Sequence, residues 1–173
     1  LLLQKLKSSF GIDGTTLDWI ASYLSGRSFR VSVNGSVSSF CSLPIGVPQG
    51  SILGPLLFIL YTKEIEAIAS KHGLHIHFYA DDTQIYFAFD VDDPNPDFSQ
   101  IKTCFLEIKA WMSLNFLKLN DSKTELMVLG RYETCVKSIC LGNVIVNTTA
   151  KAKNLGFMFD ESMSLNNHIN SVS

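Results

Sequence analysis

Residues 74–86 read LHIHFYADDTQIY, and this stretch decides the fold. Apolar and polar side chains alternate along it, which is the period of a β-strand. We predict strands over residues 74–80 and 83–89, with Asp81-Asp82 as the turn between them. Two like charges at the tip of a hairpin are unfavourable unless a cation offsets their repulsion. The stretch therefore predicts both a hairpin and a cation site.

The chemistry that suits Asp81 and Asp82 is the binding of hard divalent cations. Mg²⁺ is typically held by one or two protein carboxylates together with substrate phosphates. Two such ions about 4 Å apart activate an attacking hydroxyl and stabilise the leaving oxygen of a phosphoryl transfer. The alternative is ordinary turn chemistry, because Asp favours turns through local hydrogen bonds. The strand-forming residues on both sides favour the cation site, whereas His75 and His77 are interpreted as half-exposed strand residues that are not ligands.

A second candidate site is the loop at residues 46–51, which read GVPQGS. Its two glycines allow a close approach to the backbone, and Gln49 offers both donors and an acceptor. The loop lacks the glycine-lysine pattern of a nucleotide P-loop. On pattern alone it is equally well interpreted as the lead-in to a helix.

Lys123 is the third candidate, because it follows a polar turn and opens a predicted strand at residues 123–129. A lysine at this place is able to reach a phosphate or donate a proton. The alternative is a plain surface lysine.

The remaining pattern predicts a sheet with helices packed on one face, an α+β architecture. Asn-Gly and Gly-Asn pairs between alternating runs indicate two further hairpins. The predicted helices cover residues 2–10, 17–24, 98–117 and a stretch from Ile52 or Pro55 to Ser70; the predicted strands cover 29–33, 36–40, 137–141, 144–148 and 154–159. A further helix begins near Ser164.

Composition limits the classes of protein that fit. Apolar residues make up 46% of the 173 residues, enough to bury a core. The formal net charge of -2 is unlike that of a self-sufficient nucleic-acid binder, which is usually basic. The four cysteines lack zinc-site spacing and predict free thiols. The longest apolar run, residues 52–61, is about half of what crossing a bilayer needs, so we expect no membrane partner.

Four stretches in order resemble the reverse transcriptases of non-LTR (LINE-type) retrotransposons. Residues 46–58 resemble motif B of that family, and residues 78–83 resemble motif C, the Tyr-x-Asp-Asp box. Residues 111–125 resemble motif D, and residues 154–160 with His168-Ile169 resemble the next motif, near the primer grip. The resemblance covers essentially the whole chain.

The resemblance implies an RNA-directed DNA polymerase with a right-hand palm. It implies that residues 1–150 are the palm segment after motif A, through motifs B, C and D, and that residues 151–173 are the primer-grip region and the start of the thumb. The implied reaction is attack by a DNA primer 3′-hydroxyl on the α-phosphate of a deoxynucleoside triphosphate, templated by RNA. The implied cofactor is Mg²⁺ or Mn²⁺, and the implied location is intracellular, in the nucleus and cytoplasm.

The resemblance also assigns roles to residues. Asp81 and Asp82 become metal ligands, and Tyr79 and Ala80 flank the primer end. Lys123 becomes a general acid toward pyrophosphate. The template and incoming nucleotide would contact Pro48, Gln49 and Gly50.

One feature of the family is expected to be missing. Motif A supplies another catalytic aspartate just before the segment that opens this chain, and the first acidic residue here is Asp13, at a turn in the wrong place. We therefore expect a palm that is incomplete at both ends and that does not polymerise by itself. Its partners would include the rest of a parent polyprotein, with fingers, thumb and endonuclease.

Two alternatives stay open. One is a non-catalytic remnant of a retrotransposon polymerase that at most binds nucleic acid or protein. The other is a different palm-type nucleotidyl transferase or cyclase, against which the Gly-Val-Pro-Gln-Gly-Ser loop argues.

Overall fold

A computed structural model of the protein describes residues 1–47, 50–90, 93, 96–130 and 136–172. The chain forms two compact units. The first contains Leu1–Glu64 and Phe78–Thr83, and the second contains Ile65–His77 and Gln84–Ser173. Each unit has its own apolar core.

Three helices build the core of the first unit: α1 (Leu2–Phe10), α2 (Gly14–Leu24) and α3 (Leu53–Thr62). Helix α1 ends at Gly11, whose φ of 65° is the left-handed conformation that glycine adopts without a steric penalty. The centre of the core is a cluster of one buried aliphatic residue from each helix: Leu6, Ile20 and Leu57.

A ribbon of short strands follows α2. Strand β1 (Ser28–Phe29) pairs with β4 (Cys41–Ser42), and β2 (Ser32–Val33) pairs with β3 (Ser36–Val37), both antiparallel. Asn34 and Gly35 both have positive φ, 49° and 83°, as a type I′ turn requires. The predicted Asn-Gly hairpin is therefore confirmed.

Strands β5 (His75–Tyr79) and β6 (Asp82–Tyr86) form the predicted central hairpin and pair with each other. The hairpin follows helix α4 (Glu64–Lys71), which ends at His72-Gly73. Residues 52–70 were predicted as one helix, but they form α3 and α4 with Lys63 between them. Lys63 keeps right-handed helical dihedral angles, so the interruption is slight.

The second unit is built on helix α5 (Ser99–Leu114) and two hairpins. Strands β7 (Ser138–Leu141) and β8 (Val144–Asn147) pair antiparallel, as do β9 (Lys151–Asn154) and β10 (Phe157–Asp160), which precede helix α6 (Asn166–Val172). The core contains Phe105 of α5 and, from the sheets and the segment before them, Val136, Ile139, Leu141 and Val146.

The α+β class is confirmed, but the arrangement of the strands differs from the prediction. Among the described residues the strands form five separate two-stranded sheets, where the sequence predicted one sheet. Each strand pairs within its own ribbon, because closing a short loop costs little conformational entropy. Residues 123–129 were predicted as a strand and contribute only a bridge from Leu126 to Thr148.

The predicted strand at residues 154–159 is confirmed only in part, because residues 157–159 lie in β10. Its centre, Leu155-Gly156, is the turn between β9 and β10, with φ angles of 49° and 88°. Apolar residues lie on both sides of the turn, so the stretch resembled one continuous strand.

Two predictions from composition can be compared with the structure. Cys41, Cys104 and Cys140 are free thiols, as predicted, while Cys135 lies outside the described residues. Within the described part of the chain, each helix is too short or too polar to cross a bilayer.

Candidate active site

The two neighbouring carboxylates lie where strand β5 turns into strand β6. The turn consists of Ala80 and Asp81, and Asp82 is the first residue of β6. The prediction placed the turn one residue later, at Asp81-Asp82. Ala80 has a φ of 52°, so an alanine occupies the left-handed conformation at the tip, which costs about 1 kcal/mol. The short turn therefore separates one carboxylate in a loop from one in a strand.

Asp81 and Asp82 are both exposed to solvent, and Tyr79 before them is 64% exposed. Within the described residues, neither carboxylate has a hydrogen-bond or ion-pair partner. Two unpaired carboxylates on adjacent residues repel each other and offer hard oxygen donors. The donor set fits a Mg²⁺ or Mn²⁺ ion that completes its coordination with phosphate or other oxygens. No cluster of three ligand-type side chains is found in the described part of the chain.

The glycine-rich loop belongs to the same compact unit as the turn. Gly46 and Gly50 have φ angles of 82° and 78°, so the backbone uses the freedom that the sequence predicted for the glycines. Val47 packs against the helical core. Pro48 and Gln49, which carry the predicted contacts, lie outside the described residues.

Arg27 anchors the entry to this loop, a role that sequence reasoning missed. Its Nε donates a hydrogen bond to the Leu24 carbonyl at 2.9 Å, and its Nη2 donates to the Gly46 carbonyl at 2.5 Å. The backbone of Arg27 also accepts a hydrogen bond from the Leu43 amide at 2.8 Å. One arginine thus joins the end of α2, the base of the ribbon and the loop.

Lys123 lies in the other compact unit, at the end of a 3₁₀ turn, Asp121–Lys123. Its side chain is exposed. Lys109 fixes the turn, since its Nζ lies 2.7 Å from an Asp121 carboxylate oxygen. Tyr79, Ala80, Asp81, Asp82 and Gly50 belong to one unit, whereas Lys123 does not.

A cluster of rings on the hairpin was also missed. Tyr86 stacks on His75 and on His77, with ring centroids 5.3 and 5.4 Å apart. The Tyr86 hydroxyl lies 2.9 Å from Nε2 of His77. The alternation of His75, Ile76 and His77 indicated one exposed face, but it gave no signal for the ring of the opposite strand.

Asp160 shows how this chain holds a carboxylate for structure. It is only 5% exposed and accepts hydrogen bonds from the backbone and side chains of Ser162 and Ser164 and from the Asn167 amide. The Ser164 amide, followed by the Ser162 hydroxyl, holds the pKa of Asp160 well below its usual range. These bonds fix the turn before α6.

The comparisons with known proteins identify the family of the chain. The family model "Reverse transcriptase (RNA-dependent DNA polymerase)" matches residues 2–159. The chain belongs to the reverse transcriptase family. The match includes both the glycine-rich loop and the Ala80-Asp81-Asp82 turn.

The relatives of this reverse transcriptase segment are polymerases of mobile elements. It is 28% identical over 161 residues to the probable RNA-directed DNA polymerase from transposon BS of Drosophila melanogaster, covering 89% of this chain and 18% of that protein. It is 26% identical to the probable polymerase from transposon X-element of the same species, over 88% of this chain and 17% of the relative. The RNA-directed DNA polymerase from mobile element jockey of Drosophila funebris is 26% identical, over 99% of this chain and 19% of the relative.

These findings confirm the predicted resemblance to reverse transcriptases of non-LTR retrotransposons. The chain spans less than a fifth of the length of these curated relatives. No solved structure matches the chain significantly.

Proposed function

We propose that the protein supplies two metal ligands, Asp81 and Asp82, to the active site of an RNA-directed DNA polymerase. The observation that carries the proposal is the pair of exposed carboxylates at the tip of the β5–β6 hairpin, which have no partner among the described residues, in a chain of this family. Carboxylates that served only the fold would be expected to accept hydrogen bonds from the backbone around them, as Asp160 does.

The proposed reaction is two-metal phosphoryl transfer. When bound, divalent ions activate the primer 3′-hydroxyl and stabilise the charge on the leaving pyrophosphate. Asp81 and Asp82 hold the ions, and Tyr79 with Ala80 flanks the primer end. Lys123 donates a proton toward the pyrophosphate.

The loop contributes substrate contacts. In this proposal Pro48, Gln49 and Gly50 contact the template and the incoming nucleotide. The positive φ of Gly50 supports a close approach of the backbone, since a side chain there would be strained. Arg27 sets where the loop begins.

The proposed partners are an RNA template, a DNA primer, deoxynucleoside triphosphates and the remainder of a parent polyprotein with fingers, thumb and endonuclease. Residues 1–150 would be the palm segment, and residues 151–173 the primer-grip region and start of the thumb. The proposed location is the nucleus and cytoplasm. Similarity to RNA-directed DNA polymerases of mobile elements supports the nucleic-acid and nucleotide partners.

We also propose that the 173-residue chain does not polymerise by itself. The family resemblance implies a third aspartate from another strand. Two adjacent carboxylates at an exposed turn are expected to bind Mg²⁺ weakly without it, because exposed charges interact weakly in water. Primer extension by the purified chain, abolished in its Asp81→Asn variant, would contradict this part alone.

The metal site is tested with Mn²⁺, whose unpaired electrons broaden NMR signals of nearby nuclei. We expect Mn²⁺ to broaden the amide signals of Tyr79 to Thr83 selectively, and Asp81→Asn/Asp82→Asn to abolish the effect. The matched control is Asp90→Asn, another acidic residue after the same hairpin. Equal broadening in the double variant would contradict the proposed metal site. It would favour the alternative that the chain is a non-catalytic remnant.

The polymerase role is tested in a chimera. Residues 2–159 replace the matching segment of the Drosophila funebris jockey polymerase, and RNA-templated primer extension is measured. We expect extension that falls about a hundredfold to a thousandfold on Asp81→Asn, because a catalytic metal supplies several kcal/mol. Extension that survives this substitution would contradict the assignment.

A further inference from the structure

Lys109 and Asp121 form an ion pair beside the candidate proton donor Lys123. The Nζ atom of Lys109 lies 2.9 and 2.7 Å from the two carboxylate oxygens of Asp121, so the ammonium contacts both of them. Asp121 is the first residue of the 3₁₀ turn that ends at Lys123, and Lys109 belongs to helix α5. The pair therefore connects the segment that carries Lys123 to the helix.

The core of the second unit holds the helix end of the pair in place. The Nζ atom of Lys109 lies 5.9 Å from the centre of the Phe105 ring, one turn earlier on α5. A cation near an aromatic ring is attracted by the charge distribution of the ring. Phe105 is only 8% exposed and belongs to the core. The ammonium thus contacts both a buried ring and a carboxylate, which together limit the positions of its flexible stem.

Local hydrogen bonds close the turn itself. The Lys123 amide donates to the Asn120 carbonyl at 3.0 Å, and the Thr124 amide donates to the Asp121 carbonyl at 3.3 Å. The Ser122 hydroxyl donates to the Asn120 side chain at 2.7 Å. Because these bonds stay within the turn, they do not fix its direction relative to α5.

The ends of this segment and the side chain of Lys123 are treated differently by the fold. Leu119 and Leu126 pack against the core on either side of the turn. Between them, the hydrogen bonds of the Lys109 ammonium link the turn to α5. The Lys123 side chain is exposed, and its ammonium has no partner among the described residues. The turn is therefore fixed while Lys123 stays available.

The exposure of the pair indicates a role in position, not in stability. The side chains of Lys109 and Asp121 are 40% and 39% exposed, and exposed ion pairs add little to the free energy of unfolding. A proton donor, by contrast, works only within hydrogen-bond reach of the atom that it protonates. A small bias in the direction of the turn therefore changes how often a lysine reaches that atom.

We propose that Lys109 is a positioning residue, which holds Lys123 toward the leaving pyrophosphate by binding Asp121. The proposal rests on the proposed function, in which Lys123 donates a proton. As pyrophosphate leaves, the bond from the α-phosphorus to the bridging oxygen breaks, and its electron pair moves to that oxygen. The Lys123 ammonium gives this oxygen a proton and becomes a neutral amine, which regains a proton from water. Lys109 keeps its own proton and acts only through Asp121.

The contact is first tested in the 173-residue chain, by hydrogen exchange of the Lys123 and Thr124 amides. Both amides are bonded within the turn, so their exchange reports its opening. Lys109→Met should speed this exchange about twofold to fivefold, the factor that an exposed ion pair contributes. Lys109→Arg should keep the wild-type rate, because a guanidinium also binds a carboxylate. Lys102→Met, at an exposed lysine of the same helix, is the matched control and should change nothing.

The consequence for the reaction is tested in the chimera of residues 2–159 with the Drosophila funebris jockey polymerase. Single-turnover incorporation gives the rate of the chemical step and the apparent Kd of the nucleotide. Lys123→Met should lower the rate about a hundredfold, as expected for loss of a positioned acid. Lys109→Met should lower it about twofold to fivefold at unchanged Kd, because the contact with Asp121 is not a substrate contact.

The two substitutions combined separate positioning from a merely structural role. If Lys109 acts through Lys123, Lys109→Met should have no further effect on the rate in the Lys123→Met chimera. If Lys109 only supported the fold, it would lower the rate by the same factor with and without Lys123. Lys109→Arg should restore the wild-type rate, and Lys102→Met should leave it unchanged.

The results that would overturn the proposal differ in what else they refute. Unchanged amide exchange in Lys109→Met would overturn it without any measurement of polymerase activity. A slow Lys123→Met chimera beside a Lys109→Met chimera of wild-type rate would refute positioning alone, as would equal losses with and without Lys123. A Lys123→Met chimera that keeps the full rate would refute proton donation by Lys123, which belongs to the proposed function, and the positioning role would fall with it.

Discussion

Two aspartate turns in this protein show opposite uses of the same side chain. At the end of β10, Asp160 is buried and accepts hydrogen bonds from three neighbouring residues. At the end of β5, Asp81 and Asp82 are exposed, and among the described residues neither is bonded to the protein. Both turns follow a strand, so local sequence type does not separate them. The difference teaches that a carboxylate whose oxygens accept hydrogen bonds from the protein stabilises the fold. A pair of carboxylates without such hydrogen bonds is available to bind a ligand.

The largest expected effect concerns Asp81 and Asp82. The double variant Asp81→Asn/Asp82→Asn should lose at least about tenfold in Mn²⁺ affinity, because the anionic donors are removed. Its melting temperature should stay equal or rise slightly, since like-charge repulsion disappears. NMR titration and calorimetry measure the two quantities. If the double variant lost much stability but kept its Mn²⁺ affinity, Asp81 and Asp82 would stabilise the fold and would not bind the metal.

Asp160→Asn should give the opposite pattern, with lower stability and unchanged Mn²⁺ affinity. The folded-state pKa of Asp160 lies below its unfolded value, so its stabilisation is present above about pH 4 and is lost as pH falls toward the folded pKa. The wild type should therefore lose its advantage over the variant on acidification. Thermal unfolding between neutral and acidic pH measures this, and a constant difference would contradict the assigned cause.

Arg27 extends the comparison to a side chain that donates hydrogen bonds to backbone carbonyls of two segments. Arg27→Met should cost about 1–3 kcal/mol, because the Leu24 and Gly46 carbonyls lose a charged donor. The exposed Arg30, which lies over the Phe40 ring, is the matched control and should cost less than about 1 kcal/mol. Denaturant unfolding measures the loss of stability for both variants. Equal losses would show that the contact of Arg27 with the Gly46 carbonyl does not contribute to stability.

The smallest effect concerns Ala80 at the tip of the hairpin. Ala80→Gly relieves the left-handed conformation but increases the entropy of the unfolded chain, so we expect stabilisation below about 1 kcal/mol. Ala110→Gly, at an exposed position inside α5, should instead destabilise by about 1 kcal/mol. Changes of opposite sign in the free energy of unfolding of the two variants, measured with denaturant, would support the turn geometry. Changes of the same sign would contradict it.

Predictions from sequence succeeded where the cause is local. Asn34-Gly35 needs positive φ at both residues, and Gly142 similarly opens the turn between β7 and β8. Helix α1 was predicted with its observed bounds because its apolar side chains repeat at helical spacing. Predictions failed where pairing partners decide the outcome. At residues 123–129, Leu126 is the one position that pairs with another strand segment among the described residues.

The sequence by itself determined the family, the α+β class and the position of the paired carboxylates. These depend on motifs, periodicity and turn residues, which are formed by residues close together in the sequence. Tertiary structure decided which polar groups are satisfied. Arg27 meets Gly46, Tyr86 covers His75 and His77, and Ser164 binds Asp160 only after the chain has folded. Hydrogen bonds and burial depend on neighbours in space, so the separation of structural from available carboxylates could not be predicted from the order of residues.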